Sequence, residues 1–226
     1  YFTYDDADYS YTYNDMNGST SFMSKGTDIA FSRGMICVTS AGNSGNSPDP
    51  YVGVPAEATN SLAIGAVDSN EAYASFSSIG PSFDNRVKPD VCAKGLGTTV
   101  SNTSGNITTS NGTSFSSPVM AGMVATFWSA VPSLTNVQVT NFIKQSADLY
   151  ANPTSQKGYG VPDFQLALTN ALNTMNFTIE NPILYPNPSQ NHITLASEIK
   201  NGSLVLFNSL GQLIREEYIT KKIQNF

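Results

Sequence analysis

The sequence predicts an α/β protein with a parallel sheet, followed by a small all-β, sandwich-like domain. Three features carry that expectation. Short apolar runs alternate with stretches of helical period. Those runs are of the kind buried on both faces of a parallel sheet. Around residues 174–181 the composition turns Pro- and Asn-rich, and alternating strand patterns follow.

The elements justify themselves in order. Residues 1–20, "YFTYDDADYSYTYNDMNGST", hold five of the eleven tyrosines and four aspartates without a period. No Asp/Asn spacing there fits an EF-hand loop, so the stretch reads as a solvated surface insertion. "SFMSKGTDIAFSR", 21–33, places Phe22, Met23, Ile29, Ala30 and Phe31 at helical intervals, with Gly34 as the stop. "MICVTSAGN" is a buried strand ending in small residues; "SLAIGAV", 61–67, and "PDVCA", 89–93, are two more. Residues 96–112 are turn- and strand-like, with Thr and Val favouring extended backbone. From Phe115 the period is helical, with Val119, Met120, Met123, Val124 and Phe127 on one face.

A further helix is expected over 136–147, capped by Thr135, with Val139, Phe142, Ile143 and Ala147 inward. "GYGVPDFQLALTNAL", 158–172, adds a turn and a short helix. Beyond the composition change, Ile193, Leu195, Leu204, Leu206 and Leu213 alternate around a hairpin turn at 208–211. The expected domains are residues 1–175 and 181–226.

The chain has 226 residues, 40% hydrophobic and only 12% charged, which is a globular composition. Its net charge of −6 comes entirely from residues 1–179, which hold 7 basic and 13 acidic groups; residues 180–226 hold 4 of each. No basic footprint for nucleic acid or anionic lipid exists. No apolar run approaches the roughly 18 residues that span a bilayer. Cys37 and Cys92 make no disulfide framework and read as buried free thiols.

The chemistry concentrates in "SNGTSFSSPVMAGMVA", 110–125. A serine hydroxyl attacks only when a base takes its proton and the oxyanion is stabilised. Gly112 permits a tight approach, and Ser114 opens a helix whose dipole and free N–H groups favour developing negative charge. Pro118 falls in the first turn, where its missing N–H costs little. Gly122 would let the helix pack closely on neighbouring chain. A serine at a helix start is also often no more than an N-cap.

Taken together, "NGTSFSSPVMAG", the upstream "VTSAGNSG" and the connection "VGVPAEATNSLAIGAVD…ASFSSIGP" resemble the subtilisin-like serine proteases, the subtilases. The resemblance runs over about residues 1–173 and is strongest from Ile36 to Phe127. It implies a three-layer parallel-sheet domain, incomplete at its N-terminal side. It implies Ser114 as nucleophile, with the Asn43 carboxamide and the Ser114 N–H as oxyanion donors. Ser40, Ala41 and Gly42 would form one wall of the pocket for the residue before the scissile bond. The resemblance also implies a cis peptide before Pro55, whereas an X–Pro bond taken alone is far more often trans. Lys94 departs from the family's usual proline. Subtilases often bind structural calcium, but no ligands can be mapped here, and no cofactor or metal is otherwise expected.

The family's triad runs Asp, His, Ser along the chain. Neither an Asp-Ser/Thr-Gly turn nor a His-Gly-Thr-His start occurs before Gly112. The only histidine, His192, follows Ser114 by 78 residues and reads as an exposed turn or strand residue. The expectation is a C-terminal portion of a longer protease, inactive and poorly soluble when alone, with Asp and His lying upstream. "LYPNPSQNHITL…NGSLVLFNSLGQLIREEYI" resembles the C-terminal sorting domain of type IX secretion, incomplete at its far end. That resemblance implies secretion to the medium or cell surface of a Gram-negative bacterium, with the outer-membrane secretion machinery as partner.

The function expected is a secreted serine endopeptidase acting on proteins or peptides. The rivals are an inactive surface-displayed binding protein on the same scaffold and a serine esterase. The esterase is disfavoured because no Gly-x-Ser-x-Gly elbow surrounds Ser114.

Overall fold

Three parallel strands, Val38–Ser40 (β1), Leu62–Val67 (β2) and Val91–Lys94 (β3), form a sheet in the order β1-β2-β3. Val38 lies opposite Leu62, and Ile64 opposite Val91. This is a computed structural model, which describes residue 5 and residues 10–174, 183–196, 202–219 and 223–225. The chain divides into two compact units, Tyr1–Thr174 and Met175–Phe226. The linker expected near 174–181 lies, apart from Thr174, outside the described residues.

All six residues of β2 are buried, as its unbroken apolar run requires. β3 is buried except at Lys94, where it ends. β1 departs from expectation: it is an edge strand of three half-buried residues rather than a fully buried one. Cys37, just before it, is likewise half-exposed; Cys92 in β3 is buried, and both thiols are free. Burial pushes the Cys92 thiol up to about 12.

Helix α1 runs Phe22–Ser32, but it presents the opposite face from the one its apolar spacing suggested. Its buried residues are Ser24 and Thr27, while Phe22 is 83% and Ile29 63% exposed. Polar bonds explain the reversal. The Ser24 hydroxyl lies 2.6 and 2.8 Å from the two carboxylate oxygens of fully buried Glu57, and Asp28 accepts from the backbone and side chain of Asn60. Burial pushes the Glu57 carboxyl up.

A hairpin follows β3, with strands Thr98–Ser101 (β4) and Ile107–Ser110 (β5), and leads straight into helix α2, Thr113–Ala130. α2 packs on all three strands of the sheet. Met120, Val124 and Phe127 are buried, whereas Val119 and Met123 are exposed, so the buried stripe is narrower than the period suggested. Gly122 meets no neighbouring chain, which removes the packing role expected of it. Pro118 lies inside the helix rather than in its first turn. Having no N–H, it leaves the Ser114 carbonyl without its i+4 donor.

Helix α3, Asn136–Gln145, is capped as expected: Thr135 accepts from the Gln138 N–H, and Gln138 returns a bond to the Thr135 N–H. Val139, Ile143 and Ala147 are buried. Phe142 is only partly so. Helix α4, Phe164–Thr174, packs on α3 and α2.

The tyrosine-rich insertion is not simply solvated. Tyr13 stacks on Tyr51 at 4.2 Å and meets Phe83 edge-on, its hydroxyl donates to the Pro81 carbonyl, and Met16 is fully buried. The Val54–Pro55 peptide is cis.

A buried charge cluster locks the sheet to α3. The Lys88 ammonium, 2% exposed, donates to the Ser61 carbonyl and to Asp90 at 2.8 and 2.7 Å. The other Asp90 oxygen lies 2.6 Å from the Lys144 ammonium, and the Ala63 N–H also donates to the carboxylate. Burial alone would raise the Asp90 carboxyl, but the two lysines outweigh it and hold it below the ordinary range.

In the second unit, Ile183–Tyr185 (β6), Thr194–Ala196 (β7) and Ile223–Asn225 (β10) form an antiparallel sheet in the order β10-β7-β6. Gly202–Phe207 (β8) and Leu213–Ile219 (β9) pair as a hairpin. The Asn208 side chain closes its turn by accepting from Leu210 and Gln212. Leu195 is buried, while Leu206, Leu213 and Tyr218 are exposed. No helix among the described residues is long and apolar enough to cross a membrane.

Asp90→Asn leaves a buried ammonium unpaired. It is expected to cost about 3–5 kcal/mol in chemical denaturation of the whole protein. The wild-type contribution is present above the unfolded carboxyl value of about 4. It disappears as the pH falls through the lower folded value, so the two proteins converge in stability under acid conditions.

Candidate active site

β1 ends in Ser40, and the chain then turns through Ala41, Gly42 and Asn43 at the mouth of α2. Gly112, the residue before α2, has φ +150°, and Gly42 has φ +110°; both are conformations that glycine adopts at little cost. A Cβ on Gly42 would approach the Ser78 hydroxyl to 2.7 Å. Ser78 holds this turn from the far side, donating its N–H to the Gly42 carbonyl and accepting from the Ser44 N–H at 3.0 Å.

Thr113 joins the two segments. It is fully buried, and its N–H and hydroxyl both donate to the Asn43 carboxamide oxygen, at 2.9 and 3.0 Å. Its hydroxyl oxygen accepts from the Gly42 N–H at 3.3 Å, and its carbonyl accepts from the Ser40 and Ser116 hydroxyls. A backbone N–H can only donate, so the Asn43 atom facing Thr113 is the oxygen, and the NH₂ end is turned away from it. That NH₂ group lies 3.6 Å from where a Cβ on Gly112 would sit. Among the described residues no acceptor takes it.

Ser114, the second residue of α2, is exposed, as is Asn43. The structure therefore brings together a solvent-facing hydroxyl, a helix N-terminus at which the Thr113 and Phe115 N–H groups are already bonded to Asn43 and Gly112, and a carboxamide whose donor end is unspent. Such a set can cradle an oxyanion. Ser40 and Gly42 are half-buried beside it. The Ala41 methyl is instead turned into a small core with Val52, Ala56 and Ala63, so only its backbone can face a ligand. His192 is exposed, in the second unit. Among the described residues no three His, Cys, Asp or Glu side chains converge on a metal position.

Sequence reasoning missed Thr113 and Ser78 as positioning residues. The first had a signal only in its place, between the glycine that precedes α2 and Ser114. The second had none.

Against this geometry the comparisons with known proteins fall into place. The subtilase family's profile matches residues 8–161, and the chain belongs to that family. The secretion system C-terminal sorting domain matches residues 183–226. Subtilisin DY of Bacillus licheniformis is 38% identical over 132 residues, 58% of this chain and 46% of that protein. Alkaline elastase YaB of Bacillus sp. (strain YaB) is 33% identical over 145 residues, 64% of this chain and 36% of that protein. This chain thus spans less than half the length of either relative. Among solved structures, the self-cleaved protease domain of PatA superposes with a TM-score of 0.55 at 22% identity, over 66% of this chain and 54% of that one. The prenylagaramide maturation protease PagA gives 0.56 at 22% identity, over 65% and 54%. At that identity these two show the fold alone.

Thr113→Val strands the Gly42 N–H and removes one of the two bonds to the Asn43 carboxamide oxygen, leaving that from the backbone N–H of residue 113. It is expected to lower stability by about 1–3 kcal/mol in denaturant titration of the whole protein. Thr113→Ser, which keeps the hydroxyl, should recover most of the loss.

Proposed function

We propose that this chain is the nucleophile-bearing part of a secreted serine endopeptidase that cleaves proteins or peptides. Ser114 attacks the peptide carbonyl, and the oxyanion that forms is held by the Asn43 NH₂ group and the Ser114 backbone N–H. The general base and its orienting carboxylate come from a part of the catalytic domain that this chain does not contain. The observation that carries the reading is Thr113 fixing the Asn43 oxygen, so that the donor end is free beside an exposed Ser114.

Three further features support it. The chain belongs to the subtilase family, and its relatives are more than twice as long as the segment it matches in them. The half-buried edge strand β1 and the exposed Phe22, Ile29 and Met35 form surfaces suited to covering by more of the domain. The sorting-domain match supports export by the corresponding secretion machinery and a destination outside the cell.

Proton removal from Ser114 makes an alkoxide at the positive end of an eighteen-residue helix. As it bonds to the carbonyl carbon, charge moves to the carbonyl oxygen, where the Asn43 and Ser114 N–H donors need no reorientation. Collapse of the tetrahedral species expels the leaving amine, which takes a proton from the base, and water then releases the acyl group from Ser114 by the same path in reverse.

A fluorophosphonate probe should label the full-length protein on Ser114, and Ser114→Ala should abolish both labelling and peptide hydrolysis. Asn43→Ala is expected to reduce kcat by about 10²–10³ with little change in KM, the loss known for the corresponding donor in a subtilisin. Labelling that survives Ser114→Ala would overturn the assignment.

A further inference from the structure

Charge is distributed unevenly around the candidate site. No basic residue occurs between Arg33 and Arg86, and no charged residue of either sign between Lys94 and Lys144. Arg86 is paired with Asp84 and Lys88 with Asp90, each at 2.7 Å, so neither is a free cation. Lys94 ends β3, two strands from β1 and so about 10 Å across the sheet. On the β1 side, the segment from Asn43 to Tyr51 carries one formal charge, the carboxylate of Asp49.

That carboxylate is exposed and makes no hydrogen bond or ion pair among the described residues. Its backbone is nevertheless well held. Pro48 has a fixed φ, and Asp49, which precedes Pro50, is confined to extended backbone. The Ser47 N–H donates to the Ser44 carbonyl at 2.7 Å, and the Ser47 hydroxyl lies 2.8 Å from the Asp49 carbonyl oxygen. Both ends of the loop 44–50 are tied to the stretch 76–79. The Ser44 N–H donates to the Ser78 hydroxyl at 3.0 Å and the Gly45 N–H to the Phe76 carbonyl at 2.9 Å. At the other end the Ile79 N–H donates to the Pro50 carbonyl at 2.9 Å.

The same bonds give the direction. Gly42 points its N–H at Thr113, beside Ser114, and its carbonyl at the Ser78 N–H, 2.9 Å away. Gly42 and Pro50 are thus bonded to adjacent residues, Ser78 and Ile79, which puts them no more than about 10 Å apart. The candidate nucleophile lies on one side of Gly42 and the Asp49 loop on the other.

We infer that Asp49 is a specificity-determining residue, selecting lysine or arginine as the substrate residue whose carbonyl is attacked. The side chain of that residue runs along the Ser40–Gly42 wall, away from Ser114 and toward the loop 44–50. This rests on Ser114 being the nucleophile of a peptidase. The four-carbon stem of a lysine carries its charge about 6 Å from the backbone. Its ammonium then comes within the roughly 8–10 Å over which two exposed charges still interact in salt. Ser40, Ala41, Gly42 and Ser44 are small and uncharged, so this single carboxylate decides between substrates of similar shape.

The full-length protein is assayed on peptidyl anilides that differ only in the last residue, which is lysine, norleucine or glutamate. The expected order of kcat/KM at low ionic strength is lysine, norleucine, glutamate. Asp49→Asn should lower the lysine-to-norleucine ratio about three- to fivefold and leave the norleucine rate unchanged. Raising the salt from about 0.01 to 1 M should lower the wild-type ratio by a similar factor. Asp49→Lys should place glutamate ahead of lysine. Asp163→Asn removes an equal charge from the exposed start of α4 and keeps an oxygen for the Gln165 and Leu166 N–H groups, so it should leave the ratio as it is.

A ratio that Asp49→Asn does not move, or that Asp163→Asn moves equally, overturns the specificity inference alone. Hydrolysis of any of the three anilides that survives Ser114→Ala overturns the nucleophile assignment instead.

Discussion

The bond network of Thr113 is the constraint on which the rest of the site depends. A fully buried side chain with no charge spans the end of a strand and the start of a helix, and each of its polar atoms has a partner. Because the hydroxyl accepts from Gly42 while donating to Asn43, the turn after β1 and the carboxamide cannot move independently. The Asn43 donor end is thus oriented before any ligand arrives, the condition that the proposed stabilisation of an oxyanion requires. Ser78 closes the same turn from outside, so Gly42 is gripped on two sides.

The sheet below this turn is organised by a different kind of interaction. Lys88, Asp90 and Lys144 place three formal charges at its opposite edge region, two of them almost wholly buried. Such a cluster adds little net stability compared with an apolar substitute, but it tolerates only one arrangement of its partners. Here it fixes the start of β3 against β2 and α3. The buried residues of β2 and β3, Ile64 opposite Val91 among them, then pair in a single register.

Much of this was legible in the sequence. The buried run of β2, the Thr135 cap of α3 and the switch to helical period at α2 were each dictated by local pattern. That Ser114 and Asn43 come together was implied by the resemblance of the segments around them to the subtilases; their roles are those proposed above. What pattern could not supply was the facing of α1, whose apolar spacing pointed inward. A buried Glu57 that needs the Ser24 hydroxyl decides that orientation, and no periodicity records a bond between residues 33 apart. The same holds for Tyr13, which docks on Tyr51 and Phe83 through contacts distant in the chain. Pro118 was misplaced because helix boundaries shift by a residue or two, and its effect on the Ser114 carbonyl follows only from the true start at Thr113.

Cys92 has a consequence for how the folded chain meets oxidants. With burial pushing its thiol up to about 12, the group stays protonated at neutral pH. The sulfur is also fully buried, its S–H donating to the Lys157 carbonyl at 3.5 Å. Exchange with oxidised partners requires both a thiolate and access. In the folded chain this thiol is therefore shielded from capture as a mixed disulfide, and it needs no second cysteine to protect it.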